Sequence, residues 1–243
     1  MVSGRDICTK WGIFSLFAYR WIMNKHTRSY EHIAKIEDLL AQANIFESAE
    51  RRGASLASAR KIAEECVQDY PEDPDCWFMA GLAMYKSFAV DEDYGDRAEH
   101  YLKRSLSLNN EHQFARLYLG HYYYDIGRYE DALSHFERIT DDYFLQANKA
   151  WRVLKLHELI LCCKLRLSCS EINLDSFRSL IQEIDRSDPD DVPVPLEMAE
   201  TLAEAKESPV WQTVNRTQVV RLFIDFVEKQ DFKEALRHYI VVL

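Results

Sequence analysis

The chain has 243 residues, of which 47% are hydrophobic, and a formal net charge of −10. Its low content of glycine (7) and proline (6) disfavours an all-β or a disordered chain. The excess of acidic residues disfavours a general nucleic-acid-binding protein, because such proteins neutralise phosphates with clustered lysine and arginine. The length suffices for one or two domains, and we expect helices throughout.

The first 28 residues differ in charge and hydropathy from the rest of the chain. They carry five basic residues and one acidic residue, and residues 11–23 form the most apolar run. This run is too short for a membrane span, which needs about 20 apolar residues, and no A-x-A cleavage site follows it. Three readings stay open: the run packs as a helix on the following helices, it offers a surface to a partner or to a second copy of the chain, or it lies at a membrane interface.

Residues 29–73 predict a first pair of helices. Apolar residues recur at steps of three and four from Ile33 to Phe46, which places them on one helical face. Gly53 and the two small residues after it predict a break. A second helix follows, with Ala59 and Ala63 on its buried face.

The next pair begins at a clear start signal. Asp73 can accept a hydrogen bond from a free N–H of the first turn, and Pro74 has no N–H to leave unpaired there. Trp77 lies four residues before Gly81 on this helix, and Ala98 is the small residue of the helix that follows. We interpret the acidic loop between them as a solvated turn, because it lacks the glycine and the glutamate that an EF-hand calcium loop requires.

Residues 113–139 show the same arrangement more completely, with a glycine on a first helix and an alanine on a second. The sequence L-G-x-x-Y at 119–123 is followed by a turn at Gly127 and by A-x-x-x-F at 132–136. The glycine of the first motif and the alanine of the second are small, and two helices approach closely where a side chain is nearly absent. The spacing therefore predicts an antiparallel helix pair.

The C-terminal part follows this plan with a weaker pattern. Residues 145–167 predict one long, mostly apolar helix, and a second helix runs from residue 174 to the acidic, proline-rich linker 188–195. A short helix follows from Leu196. Residues 216–243 recover the spacing of the central pair without its glycine.

The order of these residues resembles the tetratricopeptide repeat (TPR), which pairs L-G-x-x-Y on a first helix with A-x-x-x-F on a second. The repeats cover four stretches of the chain: a clear part at 74–139 and degenerate parts at 40–73, 145–187 and 216–243. The resemblance implies an all-α, right-handed solenoid of antiparallel helix pairs over residues 29–243, preceded by an apolar N-terminal helix within residues 1–28.

In such a solenoid the first helices line a concave groove in which a partner peptide or helix binds. Ten side chains are expected to face this groove: Phe78, Met79, Leu82, Phe114, Leu117, Tyr118, His121, Trp151, Arg152 and Lys155. Because the floor is mostly apolar, a clamp for chaperone tails is disfavoured. We expect a partner with an apolar anchor and an acidic group facing Arg152 and Lys155. The alternative is that the chain's own termini or packing cover these side chains.

The sequence predicts no catalytic residue, no metal site and no cofactor. It lacks the motifs of dinucleotide and nucleotide binding, of serine hydrolases and of zinc peptidases. The eight histidines are scattered, and we interpret His121 and His157 as structural. The six cysteines match no zinc pattern, so we interpret them as free thiols of a reducing compartment.

These observations predict a non-catalytic protein–protein interaction module, a scaffold or adaptor, in the cytoplasm, with no nucleic-acid partner. Two other classes stay open. One is a dedicated inhibitor, chaperone or immunity-type protein for a single toxin or effector. The other is a membrane-peripheral assembly factor anchored by the N-terminal segment, which could also join two copies of the chain.

Overall fold

The computed structural model describes residues 29–45, 48–146, 149–169, 172–185, 195–205, 214–230, 232 and 235–236. These residues form eleven α-helices and one 3-10 helix, and no strand occurs among them, which confirms the all-α prediction. The chain divides into two compact units, residues 1–127 and residues 128–243. The apolar N-terminal run, most of the acidic linker and the end of the last predicted repeat lie outside the described residues.

The first unit consists of helices that pack in chain order. They are α1 (Tyr30–Ile45), α2 (Ala49–Asp69), α3 (Pro74–Phe88), the 3-10 helix (Glu92–Tyr94), α4 (Gly95–Leu108) and α5 (Gln113–Asp125). Helix α1 packs on α2 and α3, α2 packs on α3, and α4 packs on both α3 and α5. Helix α3 also contacts α5. The predicted acidic loop is the 3-10 helix, which leads directly into α4.

Helix α3 begins where the sequence predicts. The Asp73 carboxylate accepts a hydrogen bond from the backbone N–H of Asp75 at 2.9 Å, and Pro74 occupies the first turn. The hydroxyl of Ser29 donates to the other carboxylate oxygen of Asp73. One aspartate therefore fixes the start of α3 and joins it to the residue just before α1.

Helices α3 and α4 approach closely at Gly81. A Cβ atom added to Gly81 would lie 2.6 Å from Cγ of Leu102 and 3.1 Å from its backbone nitrogen. Ala98, one turn before Leu102, is fully buried. The prediction of a close approach at Gly81 is confirmed, and the atoms nearest to the glycine belong to Leu102.

Helix α2 passes through Gly53, so the predicted break is wrong. Residues Ala49–Asp69 form one continuous helix. A glycine inside a helix costs about 1 kcal/mol relative to alanine, which weakens a helix without ending it. The buried side chains of Leu56, Ala59 and Ala63 hold the helix in place beyond the glycine.

Two glycine-to-alanine substitutions are expected to change stability in opposite directions. Gly53→Ala should raise the free energy of unfolding by about 0.5–1 kcal/mol, because alanine favours the helix and no atom lies within 4 Å of the added Cβ. Gly127→Ala should lower it by about 1 kcal/mol, because Gly127 has a φ of +78° at the end of α5. Urea unfolding of both variants measures the shifts, and shifts of the same sign would contradict this assignment.

The second unit is built around one helix. Its helices are α6 (Tyr129–Phe136), α7 (Asp141–Gln146), α8 (Ala150–Arg166), α9 (Leu174–Asp185), α10 (Leu196–Glu204) and α11 (Arg216–Lys229). Helix α8 packs against α6, α7, α9 and α10, and α9 also packs against α11. The starts of α9 and α10 are those that the sequence predicts.

The single long helix predicted for residues 145–167 is wrong. Helix α7 ends at Gln146 and α8 begins at Ala150. Between them, the backbone N–H of Lys149 donates to the carbonyl of Phe144 at 2.8 Å. Leu145 belongs to α7 and is 51% exposed, so the apolar residues on either side of the break do not share one buried face.

The last predicted repeat is described in part. Helix α11 buries Val219, Phe223 and Phe226, as its spacing predicts. The spacing predicts that Ala235 packs as Ala132 does in the central pair, but Ala235 is exposed, whereas Leu236 is fully buried. The expected packing position of Ala235 is therefore wrong.

Candidate functional site

The seven groove residues predicted in the first unit are buried, with exposures from 0% at Met79 to 7% at Tyr118. They are Phe78, Met79, Leu82, Phe114, Leu117, Tyr118 and His121. These side chains do not form an open apolar floor in this structure. Their contact with a partner stays a prediction.

The same side chains form a cluster of aromatic rings that joins α3 to α5. The Phe78 ring lies 4.8 Å from the ring of His112 and 5.9 Å from that of Tyr118, measured between centroids. Tyr118 also contacts Tyr85, whose hydroxyl donates to the Asp125 carboxylate at 2.7 Å. Ring pairs at such distances contribute beyond their buried area, so this cluster stabilises the packing of α3 on α5.

His112 makes a polar link between the same two helices. Its Nδ1 accepts a hydrogen bond from the backbone N–H of Ala115 at 3.1 Å, and its Nε2 lies 3.0 Å from the Asp75 carboxylate. Because Nδ1 accepts, we assign the ring hydrogen to Nε2, which donates it to Asp75. The two ring nitrogens therefore connect the start of α5 to the start of α3.

The three groove residues predicted in the second unit lie on α8. Trp151 is half-buried, and Arg152 and Lys155 are each 5% exposed. The Arg152 guanidinium lies 4.6 Å from the centroid of the Trp151 ring. The prediction that Arg152 and Lys155 form an exposed basic end of the groove is therefore wrong for this structure.

Lys155 is the centre of a buried ionic cluster. Its ammonium donates to Glu158 at 2.8 Å and also to Glu197. The second oxygen of Glu158 accepts the backbone N–H of Met198 at 3.0 Å. The charge of Lys155 is thus used within the second unit, to hold α10 against α8, and is not presented to a partner's acidic group.

His157 lies between two carboxylates of the second unit. Its Nδ1 lies 3.1 Å from the Glu183 carboxylate and its Nε2 lies 3.1 Å from the Asp141 carboxylate. These contacts connect α8 to α9 and to α7. His121 belongs to the first unit, where its ring packs on Tyr118 at 5.9 Å.

The cysteines are not all free thiols. Cys66, at the end of α2, forms a disulfide with Cys76, at the start of α3, with their Cα atoms 5.6 Å apart. Disulfides are typical of oxidising compartments, so the free-thiol argument for a reducing compartment is removed. Cys162 and Cys163 are free and buried. Burial raises the pKa of the Cys162 thiol to about 12, so it is not a nucleophile at neutral pH.

A surface that the sequence analysis did not single out lies on α4 and the start of α3. We call it the α4 patch, and it consists of Trp77, His100, Tyr101 and Arg104. The Trp77 ring lies 5.7 Å from the Tyr101 ring and 6.2 Å from the His100 ring, and the Arg104 guanidinium lies 5.6 Å from the Trp77 ring. His100 and Arg104 are exposed, whereas Trp77 and Tyr101 are half-buried.

The cations along α4 differ in how they are paired. Arg97 pairs with Glu64, and Lys103 donates to Glu99 at 2.6 Å. The hydrogen bond to Glu99 raises the pKa of Lys103. The nearest polar contact of the Arg104 guanidinium is the Ser107 hydroxyl at 3.4 Å. Within the described part of the chain, no carboxylate lies within ion-pair distance of Arg104.

Comparison with known proteins gave no assignment, because no family model and no curated protein matches the chain. In the described ranges, no three His, Cys, Asp or Glu side chains are grouped so that they could hold a metal ion. None of the helices described has the length and apolar character needed to cross a membrane.

Proposed function

We propose that this chain is a non-catalytic protein–protein interaction module that binds its partner through the α4 patch. The observation that carries the proposal is the exposed Arg104 guanidinium, which lies 5.6 Å from the Trp77 ring and has no carboxylate within ion-pair distance among the described residues. A few residues carry most of the binding energy at protein interfaces, and tryptophan, tyrosine and arginine are enriched among them. All three occur together here.

The packing of α3 with α4 and α5 supports a TPR-like arrangement. Two successive helices pack on each other and the third packs on both, as in stacked helix pairs. The right-handed solenoid form belongs to the proposal. A scaffold or adaptor of this kind needs an accessible contact surface, and the α4 patch supplies one in the first unit.

The burial of the predicted groove residues favours the α4 patch over the groove. A peptide that reached Phe78 or Tyr118 would have to separate rings that already contact each other. A peptide carboxylate that reached Lys155 would compete with Glu158 and Glu197, which already surround its ammonium. The patch requires no such displacement. The sequence predicts a cytoplasmic location, and the disulfide between Cys66 and Cys76 does not support it.

Crosslinking mass spectrometry after affinity purification of the full chain tests the proposal. We expect Arg104→Glu to reduce recovery of a crosslinked partner at least about tenfold, because reversing a charge at a binding hot spot costs more than about 1.4 kcal/mol. Arg51→Glu is the matched control, since Arg51 is an exposed arginine in the first turn of α2 and does not belong to the α4 patch.

The partner's crosslinks should lie within reach of α4, and circular dichroism should show that both variants remain folded. Equal recovery by the two variants, or crosslinks confined to other helices, would contradict binding through the patch.

A further inference from the structure

We infer that the α4 patch binds an acidic segment of its partner, in which an aspartate or a glutamate lies beside an apolar side chain. This inference rests on the proposed function, and it names the class of partner that the patch fits.

We infer the acidic group of the partner from the way in which the cations along α4 are paired. Arg97 and Lys103 already have carboxylate partners, Glu64 and Glu99, whereas Arg104 contacts a ring and a hydroxyl. A guanidinium is planar and presents its N–H groups in a fixed fork, which a carboxylate or a phosphate can match with two parallel hydrogen bonds. Of these two groups, the carboxylate is the one that an unmodified protein segment carries. The guanidinium lies 5.6 Å from the Trp77 ring, and no carboxylate among the described residues lies within ion-pair distance of it.

We infer the apolar side chain of the partner from the aromatic rings that lie beside Arg104. Trp77 and Tyr101 are half-buried, so each still exposes part of an aromatic side chain next to the guanidinium. The Trp77 indole N–H donates to the carbonyl of Pro71 at 2.7 Å, which fixes the ring before any partner arrives. A surface that is already ordered loses less conformational entropy on binding. An aliphatic or aromatic side chain of the partner can therefore pack there at low cost.

The charge of the rest of the chain makes this position selective. With a net charge of −10, the chain as a whole repels an acidic segment. The exposed Arg104 on α4 is a local exception. Arg104 therefore offers an acidic segment an attraction that the net charge of the chain does not, and charge complementarity of this kind contributes to specificity at an interface.

Selection of peptides from a displayed random library on the immobilised full chain tests the inference. We expect the selected peptides to share an aspartate or glutamate beside an aliphatic or aromatic residue. Synthetic copies should bind Arg104→Gln about 10–100-fold more weakly than the wild type, the range for losing hydrogen bonds to a charged group. Arg51→Gln should bind them as the wild type does.

Changing the acid of the peptide to its amide should produce the same loss, and the two changes together should cost less than their sum, because they remove one contact. Selected peptides without an acidic residue, or peptides that bind Arg104→Gln unchanged, would overturn the inference. A library that yields no binding peptide would also overturn it.

The two experiments fail in distinguishable ways. If Arg104→Glu abolishes recovery of the crosslinked partner while the selected peptides show no acidic preference, the proposed function holds and the class of partner is wrong. If Arg104 substitutions change neither result, both are wrong.

Discussion

Replacing Lys155 by methionine is expected to lower the free energy of unfolding by about 3–5 kcal/mol. Lys155, Glu158 and Glu197 are each at most 5% exposed, and the single ammonium faces both carboxylates. Methionine fills a similar volume but leaves two like charges buried without a cation. Removing one partner of a buried ion pair costs more than the pair itself contributes, because the remaining charge cannot be solvated. Urea unfolding of the full chain measures the loss.

Two companion variants test whether the loss of stability comes from buried charge left unpaired or from replacing any lysine by methionine. Lys103→Met removes the cation of an exposed pair with Glu99, and it should cost less than about 1 kcal/mol. Adding Glu158→Gln and Glu197→Gln to Lys155→Met should restore most of the stability, since amides carry no charge and the Gln side chain can still accept the N–H of Met198. If Lys155→Met lowered the free energy of unfolding as little as Lys103→Met does, the ionic cluster would not be buried in solution.

Gly81→Val is expected to lower the free energy of unfolding by about 1–3 kcal/mol through overpacking of α3 against α4. The added Cβ would lie 2.6 Å from Cγ and 2.8 Å from Cδ2 of Leu102, and 3.1 Å from its backbone nitrogen. Leu102 is fully buried, so its side chain cannot turn into solvent. Relief of the clash therefore requires α4 to move.

A double-mutant cycle identifies the contact. Leu102→Ala creates space opposite residue 81, so the combined variant should be more stable than the sum of the single losses predicts. Gly53→Ala serves as the reference, because it adds a Cβ to a helical glycine that has no neighbour within 4 Å. Additive losses in the cycle would show that the loss of stability caused by the valine does not arise from its contact with Leu102.

The helices that could be predicted are those with local signals at their ends. Asp73 and Pro74 set the start of α3, because a side-chain cap and a missing N–H act within one turn. Gly53 misled the prediction because the tertiary packing of α2 outweighs the helix propensity of one residue. The break between α7 and α8 has no comparable sequence signal, since apolar residues continue on both sides of it.

The candidate site could be predicted only in part. The resemblance to the TPR motif predicted which faces of α3 and α5 line a groove, but burial depends on what covers a face, and spacing along one helix does not contain that information. Sequence charge could not show that Lys155 is used inside the second unit, since one of its partners, Glu197, lies on another helix. The four-residue spacing of His100 and Arg104 was a usable signal for the α4 patch, whereas the contact with Trp77 required the fold.

The covalent bond between Cys66 and Cys76 spans the exposed turn that contains Pro71 and Glu72. A protease that cut the backbone in this turn would produce two fragments that remain attached to each other through sulfur. The nicked protein would therefore keep α2 beside α3, together with the carbonyl that positions the Trp77 indole, until a reductant released the pieces.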